Sequence, residues 1–103
     1  MKVQLLYFPD CPNRGEARQA LRRSLSSLGM AVPFEELDVT GPTTPEELQA
    51  WGSPTILVDG LDVGGELSPV GAGSCRLYAG TRGVPTDDQI CALLRARRGG
   101  GSR

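Results

Sequence analysis

The chain opens on VQLLYFPDCPN at residues 3–13, and this stretch decides the fold. Its apolar part, residues 3–8, predicts a mostly buried strand, and a helical pattern begins near Asn13. Cys11 is therefore expected at a helix N-terminus, where unpaired backbone N–H groups and the helix dipole stabilise an anion. Pro12 fits the first helical position, where its missing N–H costs nothing. The stretch predicts a strand, a turn and a helix that present a cysteine thiolate.

A lone cysteine has an alternative role as a small buried hydrophobic residue. The neighbours of Cys11 favour the reactive role, because Pro9, Asp10, Pro12 and Asn13 are typical of a turn at the surface. We therefore expect Cys11 to be accessible and nucleophilic.

Length and composition indicate one small domain. The 103 residues are 39% hydrophobic, which suffices for a single modest core. We expect the domain to cover residues 1–97 and residues 98–103 to form a disordered tail. Eleven basic and twelve acidic residues give a net charge of −1, which argues against a nucleic-acid partner and against binding to a charged membrane surface.

Cysteine usage and the absence of histidine narrow the chemistry. No segment approaches the ~20 apolar residues of a membrane span, and the first residues lack the pattern of a secretory signal. We therefore expect a cytoplasmic protein. Three cysteines in a reducing compartment favour reactive or metal-binding thiols over a disulfide framework. With no histidine, imidazole metal sites and Cys-His or Ser-His catalytic pairs are excluded. We expect no cofactor.

The middle of the chain alternates helices and strands. An amphipathic helix is predicted over residues 13–28, a half-buried strand over residues 34–39 and a short helix that ends at Trp51. Thr44 and Glu47 have the spacing of a capping box at the start of the short helix.

A hairpin and a final helix complete the pattern. A strand entered through Pro54 leads into an Asp59-Gly60 turn, which predicts a hairpin with residues 61–63. Residues 64–85 contain six glycines and show no periodicity, so we expect a long loop. The last helix follows a second capping-box pattern, from Thr86 to Gln89.

The predicted order is therefore βαβαββα in a single α/β domain. A right-handed crossover makes the first two strands parallel neighbours, and the hairpin completes a mixed four-stranded sheet flanked by helices. This arrangement resembles the thioredoxin-like fold. Members of that family place a reactive cysteine between the first strand and the first helix, and a proline, usually cis, at the start of the third strand. Cys11 and Pro54 occupy those two positions.

Three stretches carry a narrower resemblance: YFPDCPN at residues 7–13, GSPT at residues 52–55 and SCRLY at residues 74–78. Together they resemble a group of small bacterial thioredoxin-like proteins, some with selenocysteine-containing relatives and some labelled alkylmercury lyase-like. The resemblance covers residues 2–97. It implies a cis Ser53–Pro54 bond, which would leave the backbone before Pro54 available to pair with an extended peptide or with glutathione.

The chain departs from thioredoxin where a second cysteine is expected. Arg14 occupies that position. It either supports a thiolate or an anionic adduct at Cys11, or it is an ordinary solvated residue of the helix. Cys75 is the candidate replacement, because the strand directions place its loop on the side of Cys11 and its neighbouring glycines permit close approach. The alternative is a loop cysteine without a role. Cys91 falls on the apolar side of the last helix and is expected to be a buried structural thiol.

Three functions remain open. In thiol–disulfide redox chemistry, Cys11 is the nucleophile and Cys75 the resolving thiol, and the partner is glutathione or a protein thiol or disulfide. In soft-metal handling, the same two thiolates bind mercury or an arsenical, and Asp10 is the adjacent proton donor for any organomercurial cleavage. In the third, the protein is a non-catalytic interaction module. The accessible thiolate expected at Cys11 favours redox chemistry.

Overall fold

A computed structural model describes residues 1–9, 11–49, 51–65 and 84–101 of the chain. Within these residues, no helix is long and apolar enough to cross a membrane. The elements in chain order are β1 (Val3–Tyr7), α1 (Arg14–Ser27), β2 (Phe34–Asp38), α2 (Glu46–Gln49), β3 (Thr55–Val58), β4 (Leu61–Asp62) and α3 (Asp87–Gly101).

The strands form one mixed four-stranded sheet in the order β2-β1-β3-β4. β1 pairs in parallel with β2 and antiparallel with β3, and β3 pairs antiparallel with β4. The prediction of a mixed α/β sheet flanked by helices is confirmed. Because β1 is central, the turn that follows it leaves from the middle of the sheet.

The two faces of the sheet bury different clusters. On one face, α1 and α3 pack on alternate residues of the central strands, such as Leu5 and Ile56. On the other face, Leu6 and Leu57 pack with Trp51. Burying each large aliphatic side chain contributes about 1.5–3 kcal/mol. Burial on both faces explains why three of the four residues 3–6 are apolar, and the fourth, Gln4, is buried with them.

The hairpin between β3 and β4 turns as predicted. Asp59 and Gly60 both have positive φ, 52° and 81°, which suits the two-residue turn that matches strand twist. The Val63 N–H donates to the Ile56 carbonyl, so strand pairing continues past β4. The turn also holds the N-terminus, because the Lys2 N–H donates to the Asp59 carboxylate.

The two predicted capping boxes have different outcomes. At α3, the Thr86 N–H donates to the Gln89 side chain and the Gln89 N–H donates to the Thr86 hydroxyl, so this prediction is confirmed. At α2, the Thr44 hydroxyl instead donates to the Asp38 carbonyl at 2.6 Å. The Thr44 N–H, which a capping box would direct to the Glu47 side chain, donates instead to the Gly41 carbonyl at 3.2 Å. No hydrogen bond joins Thr44 to Glu47 in the described part of the chain.

α3 extends past residue 97, where the domain was expected to end. The helix continues to Gly101, within the segment predicted as a disordered tail. Arg98 supplies a physical reason, because its guanidinium donates to the carbonyl of Leu28 at the end of α1. This bond satisfies a free carbonyl at a helix C-terminus and attaches the last turns of α3 to the domain.

Candidate functional site

Cys11 lies in a tight turn between β1 and α1. Its N–H donates to the Phe8 carbonyl at 3.1 Å, and its own carbonyl accepts from the Arg14 N–H at 3.4 Å. α1 begins at Arg14 with Asn13 as its N-cap, so Pro12 belongs to the turn and is not the first helical residue as expected. The prediction that Cys11 lies near the N-terminus of a helix is confirmed, two residues before the cap.

The burial of Cys11 corrects the expectation of an open surface thiol. The side chain is only 7% exposed, whereas Pro9 and Pro12 on either side are exposed. The asymmetry follows from the turn, which directs its prolines outward while the Cys11 N–H bonds back to Phe8, the residue after β1. The Cys11 thiol therefore lies at the bottom of a surface turn.

The Ser53–Pro54 peptide bond is cis, as predicted. Both residues are buried at the start of β3, and the Thr55 hydroxyl secures the segment by donating to the Gly52 carbonyl at 2.7 Å. The Ser53 hydroxyl accepts a hydrogen bond from the Phe8 N–H at 3.0 Å. The side chain of Ser53 therefore supports the fold of the site from within.

Phe8 connects the cysteine turn to the cis-proline segment. Its carbonyl holds the Cys11 N–H and its N–H is held by Ser53, so two hydrogen bonds on one residue join the two segments. Sequence reasoning missed this role, because Phe8 and Ser53 are 45 positions apart and no local pattern links them. The structure thus places Cys11, Ser53 and Pro54 in one region, at the C-terminal end of β1.

Arg14 packs on the sheet and is not a freely solvated helix residue. Its guanidinium carbon lies 3.6 Å from the centre of the Tyr7 ring, an arrangement that favours a cation. Its Nη2 lies 3.7 Å from the Glu36 carboxylate, which Arg18 holds more closely at 2.8 Å. The Arg14 Nε is buried and has no hydrogen-bond partner. Two arginines share the Glu36 carboxylate, so the charge of the Arg14 guanidinium is only partly paired.

Cys91 lies on the buried side of α3 and is 9% exposed, which confirms the predicted structural position. Cys11 and Cys91 are both free thiols. Cys75 and Asp10 lie outside the described residues, so the proposed pairing of Cys75 with Cys11 stays a prediction. Across the described ranges, no group of three or more acidic, cysteine or histidine side chains could hold a metal ion.

Trp51 belongs to the core beside the cis-proline segment. It is 5% exposed and packs with Leu6, Val39 and Leu57, and the half-buried Phe8 lies against the same cluster. Trp51 therefore serves packing. As the single tryptophan of the chain, it reports on this side of the site.

Comparison of the chain with protein-family models, with curated proteins and with solved structures gave no match in any of the three.

Proposed function

We propose that this protein is a thioredoxin-like thiol protein that uses Cys11 for thiol–disulfide redox chemistry in the cytoplasm. One observation carries the proposal: the Phe8 carbonyl accepts from the Cys11 N–H and the Phe8 N–H donates to the Ser53 hydroxyl, so Phe8 joins the turn of Cys11 to the cis Ser53–Pro54 segment. A helix N-terminus favours the thiolate, which is the form that attacks a disulfide, and the cis Ser53–Pro54 segment lies beside the turn that carries Cys11.

In the proposed reaction, the Cys11 thiolate attacks one sulfur of a substrate disulfide. A new S–S bond joins Cys11 to the substrate, the old S–S bond breaks, and the leaving thiolate takes a proton from solvent. A second thiol then attacks the Cys11 sulfur and releases the substrate as a thiol. Cys75 is proposed as this resolving thiol, and glutathione or a protein thiol takes the role if Cys75 does not.

Arg14 is proposed to favour the anionic sulfur or an anionic substrate group through its charge. Two features of Arg14 support this role. It lies in the first turn of α1, and its guanidinium is incompletely paired. Ser53 and Pro54 are proposed to shape the surface that receives the substrate, Ser53 through its backbone because its hydroxyl is already bonded to Phe8.

Identification of the cysteines that form mixed disulfides tests the proposal. The wild type and the Cys11→Ser, Cys75→Ser and Cys91→Ser variants would be treated with oxidised glutathione and mapped by mass spectrometry. We expect Cys11→Ser to lose the adduct and Cys91→Ser to keep wild-type behaviour. Cys75→Ser should accumulate glutathione on Cys11, because the resolving step is lost.

The same variants separate the alternatives. If Cys11→Ser and Cys75→Ser each abolish retention of mercuric ion while no variant changes disulfide exchange, the two thiols bind a soft metal instead. If Cys11 forms no adduct and retains no metal, the protein is a non-catalytic interaction module.

A further inference from the structure

Two arginines of α1 and one glutamate of β2 form an ion-pair cluster next to the turn of Cys11. Arg18 holds the Glu36 carboxylate through two nitrogens, Nη2 at 2.8 Å and Nε at 2.9 Å. Arg14 meets the same carboxylate oxygen only at 3.7 Å, which is beyond hydrogen-bond distance. Glu36 therefore compensates the charge of Arg18 closely and the charge of Arg14 weakly.

The fold places this cluster between α1 and the sheet. Glu36 is the register partner of Leu5, a core residue beneath α1, so both side chains leave the same face of the sheet. Arg14 and Arg18 are four residues apart and therefore lie one turn apart on the same side of the helix. Their like charges repel, and the carboxylate that they share offsets this repulsion.

The charge of Arg14 lies beside the turn that carries Cys11. The Arg14 N–H donates to the Cys11 carbonyl, and its guanidinium carbon lies 3.6 Å from the centre of the Tyr7 ring, at the end of β1. The guanidinium Nε has no hydrogen-bond partner among the described residues. A charge acts on other charges over about 10 Å at ordinary ionic strength, so Arg14 influences the turn without touching the thiol.

We infer that Arg18 is a positioning residue for the proposed reaction, because it holds Glu36 away from Arg14 and so makes Cys11 prefer disulfides that carry anionic groups. The inference rests on the proposed function of Cys11. Glu36 needs to move by only about 1 Å to bond closely to Arg14. Without Arg18, the carboxylate would make this move and neutralise the charge that favours an anionic substrate. The chemistry itself is unchanged: Cys11 forms one S–S bond as the substrate disulfide breaks, and the leaving thiolate takes a proton from solvent.

Two alkylating reagents of similar size measure the local charge at Cys11. Iodoacetate is an anion and iodoacetamide is neutral, and both form a C–S bond with the same thiolate as iodide leaves. The ratio of their rates at Cys11 therefore reports the charge around the thiol, because the thiolate fraction and the burial of the thiol affect both reagents alike. Mass spectrometry gives this ratio for each variant, with urea-unfolded protein as reference.

Arg18→Gln should lower the ratio of iodoacetate to iodoacetamide rates about threefold, a modest factor because the charges are partly exposed. Arg18→Lys keeps a cation for Glu36 and should keep the wild-type ratio. Adding Glu36→Gln to Arg18→Gln should restore the ratio, because no carboxylate then neutralises Arg14. Arg22→Gln, which removes an equal charge from an exposed position of α1, should change the ratio by less than about 1.5-fold.

A comparison in the Arg14→Gln background separates an action through Arg14 from the direct field of Arg18. There, Arg18→Gln should change the ratio by less than about 1.5-fold, because no Arg14 guanidinium remains for Glu36 to neutralise. An undiminished threefold drop in that background would overturn the inference. An unchanged ratio in the single variant Arg18→Gln would also overturn it, since a merely structural role lowers the urea midpoint and leaves the ratio as it is.

Three small disulfides extend the test to the proposed reaction. The disulfides of mercaptopropionate, mercaptoethanol and cysteamine are anionic, neutral and cationic, respectively. The wild type should exchange fastest with the anionic disulfide and slowest with the cationic one, and Arg18→Gln should narrow this spread. A spread that Arg18→Gln leaves unchanged contradicts the inference alone, whereas failure of Cys11 to exchange with any of the three contradicts the proposed function.

Discussion

Replacing Ser53 by alanine tests the connection between the cysteine turn and the cis-proline segment. The substitution removes the only acceptor found for the Phe8 N–H among the described residues, a bond of 3.0 Å in a partly buried place. Leaving a buried donor unpaired costs about 1–3 kcal/mol. Phe8 is half-buried, so we expect the lower part of that range, about 1–2 kcal/mol.

Urea unfolding followed by Trp51 fluorescence measures this cost. With a slope of about 1–1.5 kcal/mol per molar urea, the midpoint should fall by about 1 M. The turn should also loosen, because the Cys11 N–H bonds to the carbonyl of the same Phe8 residue. We therefore expect iodoacetamide to modify Cys11 several times faster in Ser53→Ala, with the rate at Cys91 as internal reference.

Ser24→Ala is the matched control. Ser24 is as buried as Ser53, but its hydroxyl donates to the Ala20 carbonyl within α1, which the helix ladder already uses. This control should lower the midpoint by less than half as much and leave the ratio of Cys11 to Cys91 alkylation unchanged. If Ser53→Ala matches the wild type in both midpoint and ratio, the Phe8 connection does not hold the site together.

Three further predictions concern charge and capping. Arg14→Gln should slow disulfide exchange at Cys11 about two- to fivefold, because a partly exposed cation is lost. The control Arg22→Gln should leave the rate unchanged, and a wild-type rate in Arg14→Gln would show that Arg14 does not act at the site. The hydrogen bond from Arg23 lowers the pKa of Asp87, so this carboxylate stabilises the fold above about pH 4 and its contribution is lost as the pH falls further. Between about pH 5 and about pH 3, the urea midpoint of Asp87→Asn should therefore fall less than that of the wild type, and parallel curves would contradict this. Thr86→Ala should destabilise the protein by about 1 kcal/mol in urea unfolding, because the cap of α3 loses its side-chain acceptor, and an unchanged midpoint would refute that role.

Features set by neighbouring residues could be predicted from the sequence. Asp59-Gly60 specifies its turn because both residues tolerate positive φ, and Thr86 and Gln89 cap a helix that they themselves begin. The position of Cys11 between a buried strand and a helix also follows from local pattern. In each case the interacting groups lie within a few positions of one another.

Features set by distant contacts could not be predicted in the same way. Thr44 fits the capping pattern, but its N–H donates to the Gly41 carbonyl and its hydroxyl to the Asp38 carbonyl, which the turn after β2 brings close. The burial of Cys11 depends on how the turn bonds back to Phe8. The place of Arg14 depends on the Tyr7 ring, which the packing of α1 on the sheet brings beneath it. Tertiary contacts decide these outcomes, and no local spacing encodes them.

The rate of alkylation at each cysteine of the native protein tests the central claim most directly. Cys11 and Cys91 are almost equally buried, 7% and 9% exposed, so average exposure alone does not separate them. Iodoacetamide would be applied at about pH 6.5, where unperturbed thiols react slowly, and each site would be quantified by mass spectrometry with urea-unfolded protein as reference. We predict that Cys11 reacts at least about tenfold faster than Cys91 and faster than Cys75 in the folded protein, and that the three rates converge in urea. Faster reaction at Cys75 or Cys91 in the folded protein would contradict the assignment of Cys11 as the nucleophile.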